Sequence, residues 1–367
     1  MKTIIIVSPK NRTVYNFRGD LIKELQKENY HVVVTGPNQD DMEAIQNLNV
    51  EFVDIPMNKD GVNPLKDLKY MNRLRKLFKK YNPDACLCYT IKPVVYGGIA
   101  ARLSGIKNIN LLITGTGFLF SSKSLKARIL KSISLILYKV SLAGAKIVIF
   151  QNPDDRKEFI ENKLVTKMKS AVVNGSGVNM KHFIPVELPN DLTFFMLGRL
   201  LNSKGVKEYI DACRILKASY PDVRFRLLGN IARNMKDGVA EDVIKSAVND
   251  GIIELIGETN DVRKYYSECS VFVLPSYREG TPRSVLEAMA SGRPIVTCDV
   301  PGCRETVIEG ENGFLVPPRD AHALAETMRK FILDRSLIPK MGRNSLELCR
   351  RKFDVDIINK DMLTFIE

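Results

Sequence analysis

The sequence offers little material for metal or serine chemistry. It has three histidines, His31, His182 and His322, and none lies in a His-x-x-Glu-His-like cluster or near a Gly-x-Ser-x-Gly element. Its seven cysteines are scattered, with Cys86 and Cys88 as the one close pair, so neither a zinc site nor a disulfide framework is indicated. These absences argue against zinc and serine hydrolases and favour a reducing, cytoplasmic location.

Long apolar runs are also missing. No run of about 18 uncharged apolar residues occurs, so we expect no membrane-spanning helix. Met1-Lys2-Thr3 leads directly into the apolar run Ile4–Val7, which is too short for a signal peptide. The loop that follows, residues 8–19, lacks the Gly-x-Gly-x-x-Gly pattern of a dinucleotide site, which disfavours a nicotinamide enzyme.

Acidic residues are scarce in the first half of the chain. Residues 1–190 hold 29 Lys and Arg against 16 Asp and Glu, whereas residues 191–367 hold 26 of each, so the whole net charge of +13 is N-terminal. Residues 101–150 contain eight basic residues and no acidic one. An excess confined to one domain indicates an anionic partner, either nucleic acid or the surface of a membrane.

The segment Leu125–Lys146 bears on that choice. Leu125, Ile129, Ile133, Ile136, Leu137 and Val140 recur near helical spacing, while most of the cations lie elsewhere on the helix, which predicts a basic amphipathic helix. A membrane-surface helix and an ordinary core helix with a lysine-rich outer face both remain open. No RNA-binding or helix-turn-helix motif is present, so we expect no nucleic-acid partner. The predicted membrane-facing cations are Lys126, Arg128, Lys131 and Lys139.

The chain length suits two domains of about 150 to 200 residues. Apolar runs alternate with helical patterns in both halves, which predicts two α/β domains with doubly wound parallel sheets. A linker-like stretch at residues 184–190 separates them, giving domains at 1–186 and 191–345 and a helical segment at 346–367. The predicted strands are Ile4–Val7, Val32–Thr35, Phe52–Ile55, Ala85–Cys88, Ile109–Ile113 and Ile147–Phe150, then Leu192–Leu197, Arg224–Leu228, Ile252–Leu255, Val271–Leu274, Ile295–Cys298 and Gly313–Val316.

The most informative stretch runs from residue 276 to residue 294. Glu279 and Glu287 are separated by seven residues across a predicted helix start, with Thr281 as the N-cap, Pro282 as the first helical residue and Gly292 as the stop. Two carboxylates at this distance can contact two parts of one elongated ligand. The free amide groups at the start of the helix suit a diphosphate.

Two cations follow the first predicted strand of the second domain. Arg199 comes directly after Gly198 at the strand end, and Lys204 opens the next helix. Cations at this edge would neutralise a diphosphate, and they would stabilise it further as it leaves.

The block from Glu279 to Pro294 resembles the Glu-x7-Glu signature of retaining glycosyltransferases of family 4, which have the GT-B fold. It continues as Glu-Gly-x-Pro-x-Ser-x-Leu-Glu-Ala-Met-Ala-x-Gly-x-Pro, and residues 198–205 match the family's Gly-Arg-x-x-x-x-Lys-Gly element. The resemblance implies two Rossmann-like domains facing a central cleft, with a C-terminal segment that could cross back to the first domain. The pattern is similar to N-acetylgalactosaminyltransferases that extend sugars on undecaprenyl diphosphate.

The resemblance also implies roles for individual residues. Arg199, Lys204 and Glu279 would be catalytic, with both cations on the diphosphate and Glu279 on the donor sugar. Glu287 would bind the ribose hydroxyls. The remaining donor-binding residues would be Gly198, Gly229, Gly257, Gly280, Thr281, Pro282, Arg283 and Ser284. No metal or other cofactor would be needed, because the two cations and the helix start already supply positive charge, and a UDP-sugar would be the co-substrate.

Three loops of the first domain should contact the acceptor, by the same resemblance. Many relatives carry a paired-glycine loop after the first strand and a histidine after the fourth. This chain has neither, and Thr90 or Lys92 would fill the place of the histidine. The acceptor-binding residues would be Lys10, Arg12, Arg18, Thr90, Lys92, Thr114, Gly115, Thr116 and Gly117.

The sequence therefore favours a retaining glycosyltransferase, peripheral on the inner face of the plasma membrane. It would move N-acetylgalactosamine or another N-acetylhexosamine from a UDP-sugar to an undecaprenyl-diphosphate-linked saccharide. Alternatives within the enzyme class are UDP-galactose, UDP-glucose or GDP-mannose as donor, and a soluble acceptor. Outside that class, a nucleic-acid-binding protein or an inactive sugar-nucleotide binder remains.

Overall fold

The computed structural model describes residues 1–58, 63–115, 125–233, 235–259 and 261–367, and for residues 125–131 it describes the backbone alone. Two compact units are present. The first contains Met1–Gly177 and Val355–Glu367, and the second contains Val178–Asp354. The strands are β1 Lys2–Val7, β2 Tyr30–Gly36, β3 Glu51–Asp54, β4 Ala85–Tyr89, β5 Asn108–Ile113, β6 Ile147–Phe150, β7 Ser170–Val172, β8 Thr193–Leu197, β9 Arg224–Leu228, β10 Glu254–Ile256, β11 Val271–Leu274, β12 Ile295–Cys298 and β13 Gly313–Val316.

Helices follow most of the strands, as short apolar runs separated by amphipathic segments predict. A π-helical turn at Pro93–Gly97 precedes the fourth helix, and a 3₁₀ turn at Asn202–Lys204 precedes the seventh. The α-helices are α1 Asn11–Lys27, α2 Met42–Gln46, α3 Pro64–Tyr81, α4 Gly98–Leu103, α5 Leu125–Ala143, α6 Pro153–Glu161, α7 Val206–Lys217, α8 Glu241–Asn249, α9 Arg263–Ser267, α10 Arg283–Ala290, α11 Ala321–Leu333, α12 Leu337–Lys352 and α13 Val355–Ile366.

In the first unit, the described strands form a parallel sheet in the order β3-β2-β1-β4-β5-β6-β7. Both faces of β1 are covered. Ile5 and Val7 belong to the core on one face, and Ile4 and Ile6 to the core on the other. Burial on both sides explains why these strands are continuous apolar runs rather than alternating patterns.

The second unit repeats this plan. Its described strands form a parallel sheet in the order β10-β9-β8-β11-β12-β13. The predicted fold class, two doubly wound Rossmann-like domains, is confirmed. Every predicted strand has a counterpart in the structure. The sequence patterns gave no sign of β7, because this edge strand has three residues, begins with a serine and follows two lysines.

The division of the chain differs in detail from the predicted boundaries. The first unit ends at Gly177 rather than at residue 186, and the linker-like stretch at 184–190 lies in the second unit. The reason is visible at Arg293, whose guanidinium donates to the carbonyls of Val186 and Glu187 and so holds this stretch to the second unit. Helix α12 also belongs to the second unit, and only α13 returns to the first.

Helix α13 completes the core of the first unit. Ile358, Met362 and Ile366 are buried in the same cluster as Ile4 and Ile22. The side-chain amide of Asn108 in β5 donates to the carbonyl of Ile366, which fixes the end of the helix against the sheet.

Candidate active site

The order of the second sheet defines the place for a ligand. Chain connections run outward in opposite directions from β8 and β11, which lie side by side with Phe194 opposite Val271. Ligands of open α/β sheets bind at such a switch point, beyond the carboxyl ends of the strands. The loop from Gly198 to Lys204 leaves β8, and the loop from Pro275 to Pro282 leaves β11, so the sheet brings both predicted motifs to one edge.

Lys204 and Glu279 meet at this edge. The Lys204 ammonium donates to the Glu279 carboxylate, and their side chains are 22% and 13% exposed. The two loops are joined by their backbones as well, because the Tyr277 amide donates to the Ser203 carbonyl over 2.9 Å. The contact between Lys204 and Glu279 joins two charged groups, and charge-assisted hydrogen bonds are roughly twice as strong as neutral ones. The pair is a preformed polar centre, with a cation for an anionic group and a carboxylate for hydroxyl groups.

The backbone at Glu279 is held by a loop that the sequence analysis did not identify. The Glu279 amide donates to the Pro301 carbonyl over 3.1 Å, and Gly302 has a φ of 84°. A Cβ at Gly302 would lie 2.3 Å from the carbonyl oxygen of Glu279. Only glycine permits this backbone and this approach. A Gly after Pro is a turn signal in sequence, and nothing local shows that it touches Glu279.

Glu287 lies on α10 with both carboxylate oxygens engaged. Arg283 donates its Nε to Oε1 over 3.1 Å, and the Tyr266 hydroxyl lies 3.0 Å from Oε2. Burial raises the pKa of Glu287, while the charge of Arg283 and the hydrogen bond from Tyr266 act in the opposite direction. The side chain of Glu287 is 14% exposed, so the group is largely buried.

The start of α10 differs from the prediction by one to two residues. Pro282 is the N-cap and Arg283 the first helical residue, and the Thr281 hydroxyl contacts the Gly280 carbonyl over 3.0 Å, so Thr281 is not the cap. The φ of Pro282 suits either place, which is why sequence alone misplaces the cap. The stop is as predicted, since α10 ends at Ala290 and Gly292 has a φ of 74°. Ser284 follows Arg283 in the first turn.

The other predicted donor residues lie along the same sheet edge. Arg199 is exposed directly after β8. A Cβ on Gly229 would lie 2.0 Å from the Gly198 carbonyl oxygen, so packing within the chain accounts for this glycine. Added Cβ atoms on Gly198 and Gly257 would meet nothing within 4 Å, so space is open beside both. Their ligand roles remain predictions.

In the first unit, the loop after β1 places its cations in different environments. Lys10 and Arg12 are exposed at the start of α1. Arg18, in contrast, is 3% exposed, and its guanidinium lies 5.2 Å from the centre of the Tyr89 ring. Arg18 therefore packs inside the unit, and the cations at the surface of this loop are Lys10 and Arg12.

The loop after β4 contains a strained residue. Thr90 has a φ of 70°, which is rare for a β-branched side chain and costs on the order of 1–3 kcal/mol. A π-helical turn follows at Pro93–Gly97, and such turns are frequent at functional sites. Lys92 is engaged elsewhere: it donates to Asp67 over 2.7 Å and is 14% exposed. Which of Thr90 and Lys92 replaces the histidine of relatives stays a prediction, with Lys92 paired to Asp67 and Thr90 in a strained backbone conformation.

Thr114 and Gly115 follow β5, both are half-buried, and Gly115 has a φ of 119°. Thr116 and Gly117 lie outside the described residues. The side chains of Lys126, Arg128 and Lys131 also lie outside them, and Lys139 is exposed.

The described part of α5 divides its apolar stripe between solvent and the core. Ile133, Ile136 and Val140 are 46%, 63% and 45% exposed, whereas Tyr138 and Leu142 are buried in the core. The helix therefore packs through a second face and presents isoleucines and a valine to solvent. Leu137, the fourth described residue of the stripe, packs against the core, so the membrane-surface helix and the core helix both remain predictions.

Among the residues that the structure describes, no helix has the length and apolar character needed to cross a membrane. Within the same residues, no group of three or more His, Cys, Asp and Glu side chains is placed to hold a metal ion.

Two family models match the chain. Residues 4–152 match "Glycosyl transferase 4-like" and residues 179–347 match "Glycosyl transferases group 1". The chain is 27% identical, over 93% of its length and 92% of the relative's, to N,N'-diacetylbacillosaminyl-diphospho-undecaprenol alpha-1,3-N-acetylgalactosaminyltransferase of Campylobacter jejuni. It is 27% identical, over 80% of its length and 76% of the relative's, to UDP-Gal:alpha-D-GlcNAc-diphosphoundecaprenol alpha-1,3-galactosyltransferase of Escherichia coli.

Solved structures agree on the fold. The crystal structure of Anabaena HepE in complex with UDP superposes with a TM-score of 0.81 at 19% identity, covering 99% of each chain. At this identity the likeness bears on the fold alone. The two family matches together span most of the chain, one in each unit. The chain is therefore a glycosyltransferase with the GT-B fold.

Proposed function

We propose that this glycosyltransferase moves a sugar from a UDP-sugar to a saccharide linked to polyprenyl diphosphate, with retention at the anomeric carbon. The observation that carries the proposal is the Lys204–Glu279 pair at the switch point of the second sheet, with Glu279 in the loop that leads into the helix of Glu287. The relatives from C. jejuni and E. coli are both named for acceptors on undecaprenyl diphosphate. N-acetylgalactosamine is the proposed sugar, by likeness to the first of them.

The proposed chemistry uses few groups. The acceptor hydroxyl attacks the anomeric carbon on the face that the diphosphate leaves, the bond from that carbon to the diphosphate oxygen breaks, and a phosphate oxygen takes the hydroxyl proton. Lys204 and Arg199 stabilise the charge that grows on the leaving diphosphate, without a metal ion. Glu279 orients the sugar through its hydroxyl groups. Because Glu279 is paired with Lys204, it is a poor nucleophile, and a covalent glycosyl-enzyme trapped at Glu279 would contradict this route.

The nucleotide site can be tested without knowing the sugar. We expect titration with UDP, GDP, ADP and NAD to give selective binding of UDP. The binding should persist in EDTA, because the chain itself supplies the positive charges proposed for the diphosphate. Selective GDP binding would move the donor to GDP-mannose, and a requirement for a divalent cation would contradict the metal-free site. If no nucleotide bound, the proposal would fail, and binding of duplex nucleic acid by the basic first domain would be measured next.

The proposed acceptor lies in a membrane, and the first unit has a basic surface that could bind an anionic membrane. Asp67 and Asp84 are the sole acidic residues between Pro64 and Lys146 in the sequence, and Asp67 is buried against Lys92. Along α3, a shallow groove is lined by two exposed leucines and by polar and basic side chains, namely Leu65, Leu68, Lys69, Asn72, Arg73 and Lys76.

Helices α3, α4 and α5 pack through one core, which their buried residues share on one face of the sheet. We call their outer side the basic helical surface: Leu65 and Leu68 of α3, Leu103 of α4, Ile133, Ile136 and Val140 of α5, and the exposed cations between them. Apolar side chains interspersed with cations favour an anionic bilayer, where each basic residue near the surface contributes about 1 kcal/mol. The enzyme is thus proposed to be peripheral on the inner face of the plasma membrane, a soluble acceptor being the alternative.

Replacing Ile136 with Glu should weaken binding to vesicles that contain phosphatidylglycerol several-fold, because the change puts a carboxylate into the basic helical surface. Ile136 is 63% exposed, so the fold should tolerate the change. Co-sedimentation at two salt concentrations measures the effect. Met168→Glu is the matched control, since Met168 is 96% exposed and lies outside the three helices. Equal losses for the two variants, or equal binding to neutral vesicles, would contradict a surface of this kind.

A further inference from the structure

Tyr266 lies beneath the proposed ribose site, and neither the sequence motifs nor the comparisons assign it a role. We propose that its hydroxyl fixes the Glu287 carboxylate for recognition of the ribose hydroxyls, which makes Tyr266 a positioning residue that sets selectivity for ribonucleotides. The inference rests on the proposed function, in which Glu287 binds the ribose. It adds how the chain prepares that carboxylate before the nucleotide arrives.

The ring of Tyr266 is immobilised on several sides. It is fully buried, and the centres of the Phe183, Phe195 and Phe272 rings lie 5.9, 5.7 and 5.7 Å from its own. A ring enclosed in this way can point its hydroxyl in one direction. Packing therefore limits where the hydroxyl can lie, and a buried tyrosine hydroxyl usually has a hydrogen-bond partner.

The backbone of Tyr266 is fixed by a buried cation. Arg293 is fully buried and donates its Nε to the Tyr266 carbonyl over 2.9 Å. Its Nη2 lies 3.2 Å from the Ser267 carbonyl and 3.3 Å from the Val186 carbonyl. Short helix α9, with five residues, would hold a side chain poorly by itself. Arg293 joins it to the segment at residues 184–190, and this contact is what holds the tyrosine in place.

The hydroxyl has two acceptors and one proton. It lies 3.0 Å from the Ser284 carbonyl and 3.0 Å from Glu287 Oε2. A hydrogen bond to an ionised carboxylate is roughly twice as strong as one to a neutral carbonyl, so the proton goes to Glu287 when it is charged. With Arg283 on Oε1, each carboxylate oxygen then has one fixed donor and retains a lone pair for a ribose hydroxyl.

This arrangement has a measurable consequence. Burial raises the pKa of Glu287, and Arg283 on its own helix and Tyr266 on α9 act in the opposite direction. Helix α12 packs on α10 and contributes Cys349, whose pKa burial raises to about 12, so that this thiol is neutral. Removing the tyrosine hydroxyl takes away one of the two opposing groups and frees the carboxylate to turn. Removing this hydroxyl should therefore weaken the part of the nucleotide affinity that comes from the ribose hydroxyl groups, and leave the parts that come from the base and the phosphates unchanged.

The experiment compares the affinities of two nucleotides for the full-length wild-type protein and three variants. Dissociation constants of UDP and of 2′,3′-dideoxyuridine diphosphate are measured by calorimetry for the wild-type protein, Tyr266→Phe, Glu287→Ala and Tyr265→Phe. Tyr266→Phe should reduce the preference for UDP about five- to tenfold, the size of one hydrogen bond, with little change for the dideoxy nucleotide. Tyr265→Phe, which removes the neighbouring hydroxyl on the same helix, should keep the wild-type preference.

The outcomes separate the inference from the function on which it rests. If Tyr266→Phe weakened binding of both nucleotides equally, or kept the full preference while Glu287→Ala lost it, Tyr266 would be structural and the inference overturned. A wild-type protein that bound both nucleotides equally, or did not bind UDP, would refute the ribose role of Glu287 and the inference together. The ratio of two affinities is unaffected by a modest loss of stability, so a destabilised variant still decides the question.

Discussion

Lys204→Ala should lower turnover with a UDP-sugar by on the order of a hundredfold, comparable to the loss of one preorganised donor of positive charge. The Glu279 carboxylate and the 3₁₀ turn at Asn202–Lys204 hold the ammonium at the sheet edge, so a positive charge is present there before charge grows on the diphosphate. Single-turnover measurements would report the step directly. The affinity for UDP should fall less than turnover, because the product diphosphate also contacts Arg199 in the proposed site.

The matched control is Lys207→Ala. Lys207 is exposed in the first turn of α7, three residues after Lys204, and should give wild-type turnover. If both variants lost activity equally, the effect would come from the net positive charge of this region rather than from a specific contact of Lys204. Unchanged turnover in Lys204→Ala would remove the catalytic role of Lys204.

Glu279→Gln should have opposite effects on two quantities. Turnover should fall by about a hundredfold or more, because the sugar loses a charged acceptor for its hydroxyl groups. The affinity for UDP without the sugar should rise, since Lys204 no longer donates to a competing carboxylate and is available to the diphosphate. Calorimetry with UDP and turnover with the UDP-sugar measure the two effects in the same preparation.

Glu208→Gln is the control for that variant. Glu208 is a carboxylate of the neighbouring helix start that accepts from the Tyr277 hydroxyl over 2.6 Å, so its removal tests whether any lost carboxylate near the loop raises UDP affinity. A rise in both variants would point to the net charge of the region. A fall in UDP affinity in Glu279→Gln would show that the carboxylate assists the diphosphate rather than competing for Lys204.

The architecture could be predicted because its signals are local. Strands such as Val271–Leu274 and Ile295–Cys298 are apolar runs buried on both faces, and their bounds were predicted to the residue. The helix stop at Gly292 was equally plain, since a positive φ favours glycine. The spacing of Glu279 and Glu287 and the cation Lys204 come from short motifs, and the switch point of the sheet brings the loops that carry them to one edge.

What escaped prediction depends on contacts between distant parts of the chain. From the sequence, Tyr266 is expected to be a core aromatic residue in a short helix. Only the fold brings its hydroxyl to Glu287, which lies 21 residues later in the chain. Gly302 reads as an ordinary turn residue until its approach to Glu279 is seen. The sequence groups Arg18 with Lys10 and Arg12 as cations that suit an anionic acceptor, and the burial of Arg18 against the Tyr89 ring cannot be inferred from neighbouring residues.

Helix α13 has a consequence for how the protein is made. The second unit is continuous from Val178 to Asp354, whereas the core of the first unit needs Ile358, Met362 and Ile366. A ribosome therefore releases every residue of the second unit before it has supplied the last helix of the first. Until α13 is made, the part of this core that α13 covers, which includes Ile4 and Ile22, lacks its last layer, and that interval is when the chain is most exposed to aggregation or to chaperones.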